Sequence, residues 1–100
     1  MHDESGSVRT DFNGVFGELL CLSHSDEATT ADGRTLRLVP GMELTAFDED
    51  ADEEGNPDRI LAVGVVERSP EWLQYNGSRW VLRIDLSGIR HASELRARVR

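Results

Sequence analysis

Apolar residues along this chain fall in short bursts, broken by glycine, proline and acidic turns, which is the spacing of strands more than of helices. Asn13-Gly14 marks a turn. Val15–His24 then carries the run Leu19-Leu20-Cys21-Leu22, a strand covered on both faces or curling through a barrel, with Gly17 predicting a bulge or tight bend. Asp32-Gly33 between Glu27–Ala31 and Arg34–Val39 predicts a hairpin closed by a type I′ turn. Pro40-Gly41 reads as a type II turn leading into Met42–Phe47, whose alternation points Met42, Leu44 and Ala46 inward. Arg59–Arg68 is the most apolar strand and should lie centrally, Gly64 marking a bend or a close backbone approach.

Beyond Ser69-Pro70 the pattern admits two structures. Asn76-Gly77 between Glu71–Tyr75 and Ser78–Asp85 predicts a hairpin in which Tyr75 faces Ser78, Leu73 faces Trp80 and Trp72 faces Val81. Alternatively, Ser69-Pro70-Glu71 starts one helical turn, with serine as cap and proline first in the helix. Ile89, Ala92, Leu95 and Val99 recur close to helical spacing, so Ile89–Val99 is expected as a short terminal helix. The expected fold is mainly β: a small antiparallel barrel or strongly coiled sheet, SH3-like or OB-like, of five to seven short strands with one short C-terminal helix. Residues 1–10 are expected as a flexible tail, with residues 11–100 as one β-rich domain.

Length changes this picture little, since 100 residues suffice for one domain with one core. Charge changes it more. The formal net charge is −8, and it is unevenly divided: residues 1–58 hold 15 acids and 3 arginines, residues 59–100 hold 4 acids and 8 arginines. An acidic surface of this kind counts against nucleic acid and anionic membranes as partners. The single cysteine, the polar start MHDESGSVRTD and the lack of a long apolar run lead to the expectation of a cytoplasmic protein without a membrane span. Pairing of Arg90, Arg96, Arg98 and Arg100 with the acidic segment, within or between chains, would account for both charge runs.

Four groups of residues carry candidate chemistry. Residues 48–58 (DEDADEEGNPD) hold seven acids in eleven positions. Asp48, Asp50 and Asp52 sit at calcium-loop spacing, but Glu53 replaces the required glycine and Arg59 the terminal glutamate, so a solvated loop and no metal is expected. Cys21, Ser23, His24 and Asp26 have the side chains of a nucleophilic site, with His91 as a distant partner. On an extended strand, however, Cys21 and Ser23 share a face and His24 takes the other. Trp72, Tyr75 and Trp80 crowd one segment. Trp80 should pack in the core, while Trp72 is either buried beneath the terminal helix or outward, framed by Arg79 and Arg83, as in a protein-binding hot spot.

The reading that follows is a small acidic binding module, not an enzyme and without cofactor, that recognises a protein or peptide and can self-associate. Trp72, Tyr75, Arg79 and Arg83 form its expected contact surface. The alternative is an inhibitor or antitoxin-like protein whose Asp48, Asp50, Asp52, Glu53 and Glu54 block a basic partner.

Overall fold

A computed structural model describes residues 7–75 and 77–97. The chain is mainly β, with nine strands and two short helices among the described residues. The strands are β1 (Val8–Arg9), β2 (Val15–Phe16), β3 (Leu19–Ser23), β4 (Glu27–Thr29), β5 (Thr35–Arg37), β6 (Glu43–Asp48), β7 (Ile60–Arg68), β8 (Trp80–Ile84) and β9 (Arg90–His91). The helices are α1 (Glu71–Gln74) and α2 (Ala92–Ala97). The main sheet runs β1-β6-β7-β8-β3-β2, with β9 also paired to β7, and β4-β5 is a separate hairpin. The main sheet is not closed, since β1 and β2 are its free ends.

The apolar strand Arg59–Arg68 is central, as its composition implies. It pairs antiparallel with β6, β8 and β9. Alternation sends Ala62 and Val66 of β7, Leu20 and Leu22 of β3, Ala46 of β6, and Trp80 and Leu82 of β8 to one side. There they meet Ala28 and Leu38 from the β4-β5 hairpin and its exit. Trp80 is 3% exposed, its ring covered by the Arg68 guanidinium at 4.9 Å and its indole N–H bonded to Asp26 Oδ1 at 3.0 Å. Phe47 points the other way yet is fully buried, because the guanidinium groups of Arg9 and Arg59 lie over its ring at 4.9 and 4.5 Å.

Several expectations need correction. The tail does not extend to residue 10: Ser7 and Val8 are buried, and β1 pairs in parallel with β6 and bridges to Thr30. The strand expected over Val15–His24 is split by a two-residue turn at Gly17-Glu18, glycine supplying φ 62°. The β4-β5 hairpin forms where expected, but only Gly33 has positive φ, whereas a type I′ turn needs two such residues. The Gly33 N–H bonds to the Thr30 carbonyl and the Thr30 N–H to the Arg34 carbonyl, giving a three-residue loop with a glycine bulge. The Pro40-Gly41 turn matches its type II reading, with Gly41 at φ 86° and the Met42 N–H bonded to the Val39 carbonyl.

The largest correction concerns residues 69–85. No hairpin joins Glu71–Tyr75 to β8, so the facing pairs Tyr75–Ser78, Leu73–Trp80 and Trp72–Val81 do not form. Both edges of β8 are already occupied, by β3 and β7. Glu71–Gln74 instead forms the helical turn, with Pro70 at the cap position. Ser69 does not cap it: its hydroxyl pairs with that of Ser78 at 2.9 Å, both buried. The terminal helix is present as α2 but begins only at Ala92, because Arg90–His91 form β9 against β7 rather than the first helical turn; Arg98, Val99 and Arg100 lie outside the described residues.

Gly64 is the close approach its position implied. A Cβ there would lie 2.1 Å from the Arg83 carbonyl oxygen and 2.8 Å from its carbon, both backbone atoms of the neighbouring strand. Gly64→Ala is therefore expected to cost about 3 kcal/mol or more of unfolding free energy, measured by urea denaturation. Gly88→Ala has open space around it but φ 71°, so its expected cost is about 1–2 kcal/mol. Equal costs would contradict this account of Gly64.

Candidate functional site

A cleft of about 450 Å³ opens on the outer face of β3. One wall is the segment from Thr10 to Gly14 together with Phe16, and the other is Leu73 of α1 with Ser78. Residues Phe12–Gly14 form a 3-10 turn that Asp11 caps, its Oδ1 accepting from the Asn13 N–H at 2.9 Å. The turn is fixed to the neighbouring loop by the Phe12 N–H, which donates to Asp48 Oδ2 at 3.1 Å. Gly14 packs closely on the floor, where an added Cβ would sit 3.3 Å from Cys21 Cβ.

The floor lies at a register shift in β3 between Cys21 and Ser23. Cys21, Leu22, Ser23 and His24 all border the cleft around this shift, Leu22 while its side chain packs in the core. They do not form a nucleophilic triad. The His24 Nδ1–H donates to the Gly77 carbonyl at 2.7 Å. Asp26 is engaged elsewhere, by the Trp80 indole and by Arg79 Nε at 3.7 Å. The indole hydrogen bond is the main reason that the Asp26 carboxyl is held below its ordinary value. No hydrogen bond joins Cys21 to His24 among the described residues.

Of the expected contact residues, Trp72 and Tyr75 are outward, 54% and 88% exposed. The one-turn helix decides this: Leu73 is its single buried position, and the Gln74 side-chain amide holds the turn by donating to the Ser69 carbonyl at 2.7 Å. Trp72 meets Phe16 edge-to-face, with centroids 5.8 Å apart and ring planes at 78°. Phe16 is 42% exposed and borders the cleft. Sequence reasoning missed it, although Gly17-Glu18 as a hairpin turn would have placed Phe16 on the short edge strand beside the cleft.

Arg79 and Arg83 do not stand free around the aromatics. Arg83 donates two hydrogen bonds to Glu67, at 2.8 and 3.0 Å, and pairs also with Glu18. These contacts raise the Arg83 pKa, chiefly through the Glu67 hydrogen bonds, and lower that of Glu67. The Phe16–Leu19 and Leu19–Arg83 pairings put Phe16 and Arg83 two ladder steps apart.

The acidic loop is a small folded unit, closed by the Ala51–Pro57 bridge. Asp52 Oδ1 accepts from the Glu54 and Asn56 N–H groups at 2.9 Å each. Asp48 accepts from Phe12 and Glu49, and Glu49 pairs with Arg9 and Arg59. Described residues other than the expected arginines link the acidic segment to the C-terminal segment, while the Arg96 side chain, Arg98 and Arg100 lie outside the described residues. His91 Nε2 bonds Asp50 Oδ2 at 2.7 Å, and Asp58 accepts from the Ser93 N–H and hydroxyl at 2.9 and 2.6 Å. Arg90 instead donates to the Ser87 carbonyl. Glu53 and Glu54 are left exposed at the tip, and among the described residues no cluster of metal-ligand type is present.

These elements define a mainly β domain with an aromatic-lipped cleft at one sheet edge. Comparison with known protein families, curated proteins and solved structures finds no match for the chain. No described helix is long and apolar enough to cross a membrane.

The clamp between loop and helix has a defined pH dependence. His91 is raised above its ordinary 6.5, first by the Asp50 hydrogen bond. Its contribution to stability is therefore complete below 6.5 and is lost as pH rises through the raised value. Asp50 is lowered below 3.8, first by the His91 hydrogen bond, so its contribution is present above 3.8 and is lost as pH falls through the lowered value. Urea midpoints across pH should show the alkaline loss in the wild type and not in His91→Gln. An identical alkaline profile in both would remove His91 as its source.

Proposed function

We propose that this chain is a non-catalytic binding module that holds a segment of another protein in the cleft beneath Phe16 and Trp72. One observation carries the reading: Phe16, which borders the cleft, and Trp72, edge-to-face against it, stand exposed beside a cleft whose lining includes Phe16, Cys21, Leu22 and Leu73, with the exposed Tyr75 three residues after Trp72. Exposed aromatics around a concave apolar site are the composition of binding hot spots. Tryptophan and tyrosine also supply large contact areas at low entropic cost. The acidic-loop inhibitor reading has less support, because Asp48, Asp50 and Asp52 are occupied in bonds within the chain.

The frame proposed for this module is a small barrel of the SH3-like or OB-like kind, operating in the cytoplasm. Its support is the β4-β5 hairpin, which covers the core and reaches from the end of β3 to β1 through the Val8–Thr30 bridge. In such a frame the aromatic edge is a rigid docking surface for a peptide.

Selection of peptides from a displayed random library on the immobilised protein tests the reading. Trp72→Ala is expected to weaken the selected peptides at least about tenfold, as hot-spot truncations do, while stability falls by no more than about 1.5 kcal/mol, the worth of its ring contact with Phe16. Bound peptide should also shield Trp72 from acrylamide quenching. Selected peptides that bind Trp72→Ala equally well, or a selection that yields none, would overturn the proposal.

A further inference from the structure

The surroundings of the aromatic lip have a charge that the linear order of residues conceals. Arg79 and Arg83 look like a basic frame for Trp72, yet Arg79 faces Asp26, and Arg83 is shared between two carboxylates, Glu67 and Glu18. Asp11 lines the cleft with one carboxylate oxygen used as a cap. Glu71 precedes Trp72 on the exposed first turn of α1. Beside the cleft itself the charged side chains left accessible are thus carboxylates, Asp11 in its lining and Glu71 next to Trp72, while Arg79 and Arg83 are each engaged by other carboxylates. The two remaining elements are exposed indole and phenol rings, whose faces attract cations.

Resting on the binding-module reading above, we infer that the occupant of this cleft is a basic segment of a partner protein: an apolar anchor residue flanked by lysine or arginine. The anchor enters between Phe16 and Leu73, over Cys21. The flanking cations meet Asp11 on one side of the anchor and Glu71, with the rings of Trp72 and Tyr75, on the other. The overall charge of −8 favours approach of such a segment from a distance. An acidic segment would meet the same surface as a like charge, since neither arginine is left to receive it.

Three pools of short capped peptides test this, each with randomised apolar and aromatic central positions, flanked by lysine, serine or aspartate. Binding to the immobilised 100-residue chain is measured for the wild type, Trp72→Ala and the double variant Asp11→Asn with Glu71→Gln. Asparagine keeps the oxygen that caps the 3-10 turn, so the double variant retains that contact. The lysine pool is expected to bind best, exceeding the serine pool by roughly fivefold per ion pair gained, with added salt reducing the difference. In the double variant the lysine preference should fall to near that of serine, while Trp72→Ala should lose binding in every pool. Equal binding of all three pools, still dependent on Trp72, would overturn the charge inference and leave the module reading intact. Preference for the aspartate pool would overturn it outright. Failure of every pool on the wild type would overturn both readings.

Discussion

Register between β7 and β8 is the constraint from which the rest of the architecture follows. At Gly64 the Arg83 carbonyl approaches so closely that no side chain fits, which locks these neighbouring strands in one alignment. Because side chains alternate across a strand, that alignment decides every face at once. Ala62, Val66, Trp80 and Leu82 go to the core, while Glu67 and Arg83 go to the opposite face, where Val81 lies buried between them. A slip of one residue would turn Trp80 out of the core and Arg83 into it. The core and the ion network around Arg83 therefore depend on one glycine.

The regular part of the sheet builds the core, and its irregular parts build the cleft. Around the register shift in β3, Cys21, Leu22, Ser23 and His24 border the cleft. The Gly17-Glu18 turn folds Phe16 back beside them, and the turn α1 lifts Trp72 to meet it. None of these departures is held by one interaction. The buried Ser69–Ser78 hydroxyl pair and the Gln74–Ser69 bond fix α1, and the Asp48 carboxylate fixes the 3-10 turn from the opposite wall. Among the described residues, no buried side-chain polar atom is left without a partner, so these departures leave no such group uncompensated.

This division explains what could be read from the amino-acid order and what could not. Alternation and turn residues identified the central strand, the β4-β5 hairpin and the inward Leu44 and Ala46, because each depends on local chemistry. The segment from Glu71 to Tyr75 was misread because five residues containing adjacent Trp72 and Leu73 fit a strand and a helical turn equally well. Asn76-Gly77 then favoured the hairpin. What decided the matter was occupancy: a strand has two edges, and both edges of β8 were taken by β3, far away in sequence, and β7. Local patterns carry no record of that. In the same way Trp72 was legible as a candidate contact, but Phe16, its partner, lies 56 residues away and needed the assembled edge.

Charge shows the same gap between composition and surface. The acidic loop is the most charged stretch of the chain, yet its carboxylates act mainly as acceptors for turns, for Arg9 and Arg59, and for the start of the terminal segment. The arginine-bearing aromatic region reads as basic in sequence, yet in the fold Arg79 faces Asp26 and Arg83 is held by Glu67 and Glu18. A charge already held at hydrogen-bond distance by a partner has little left to offer a ligand, whereas an exposed, less committed carboxylate beside an aromatic ring has both charge and access. On that physical ground the proposed recognition surface is placed at the lip around Trp72, with Asp11 and Glu71 giving it its sign.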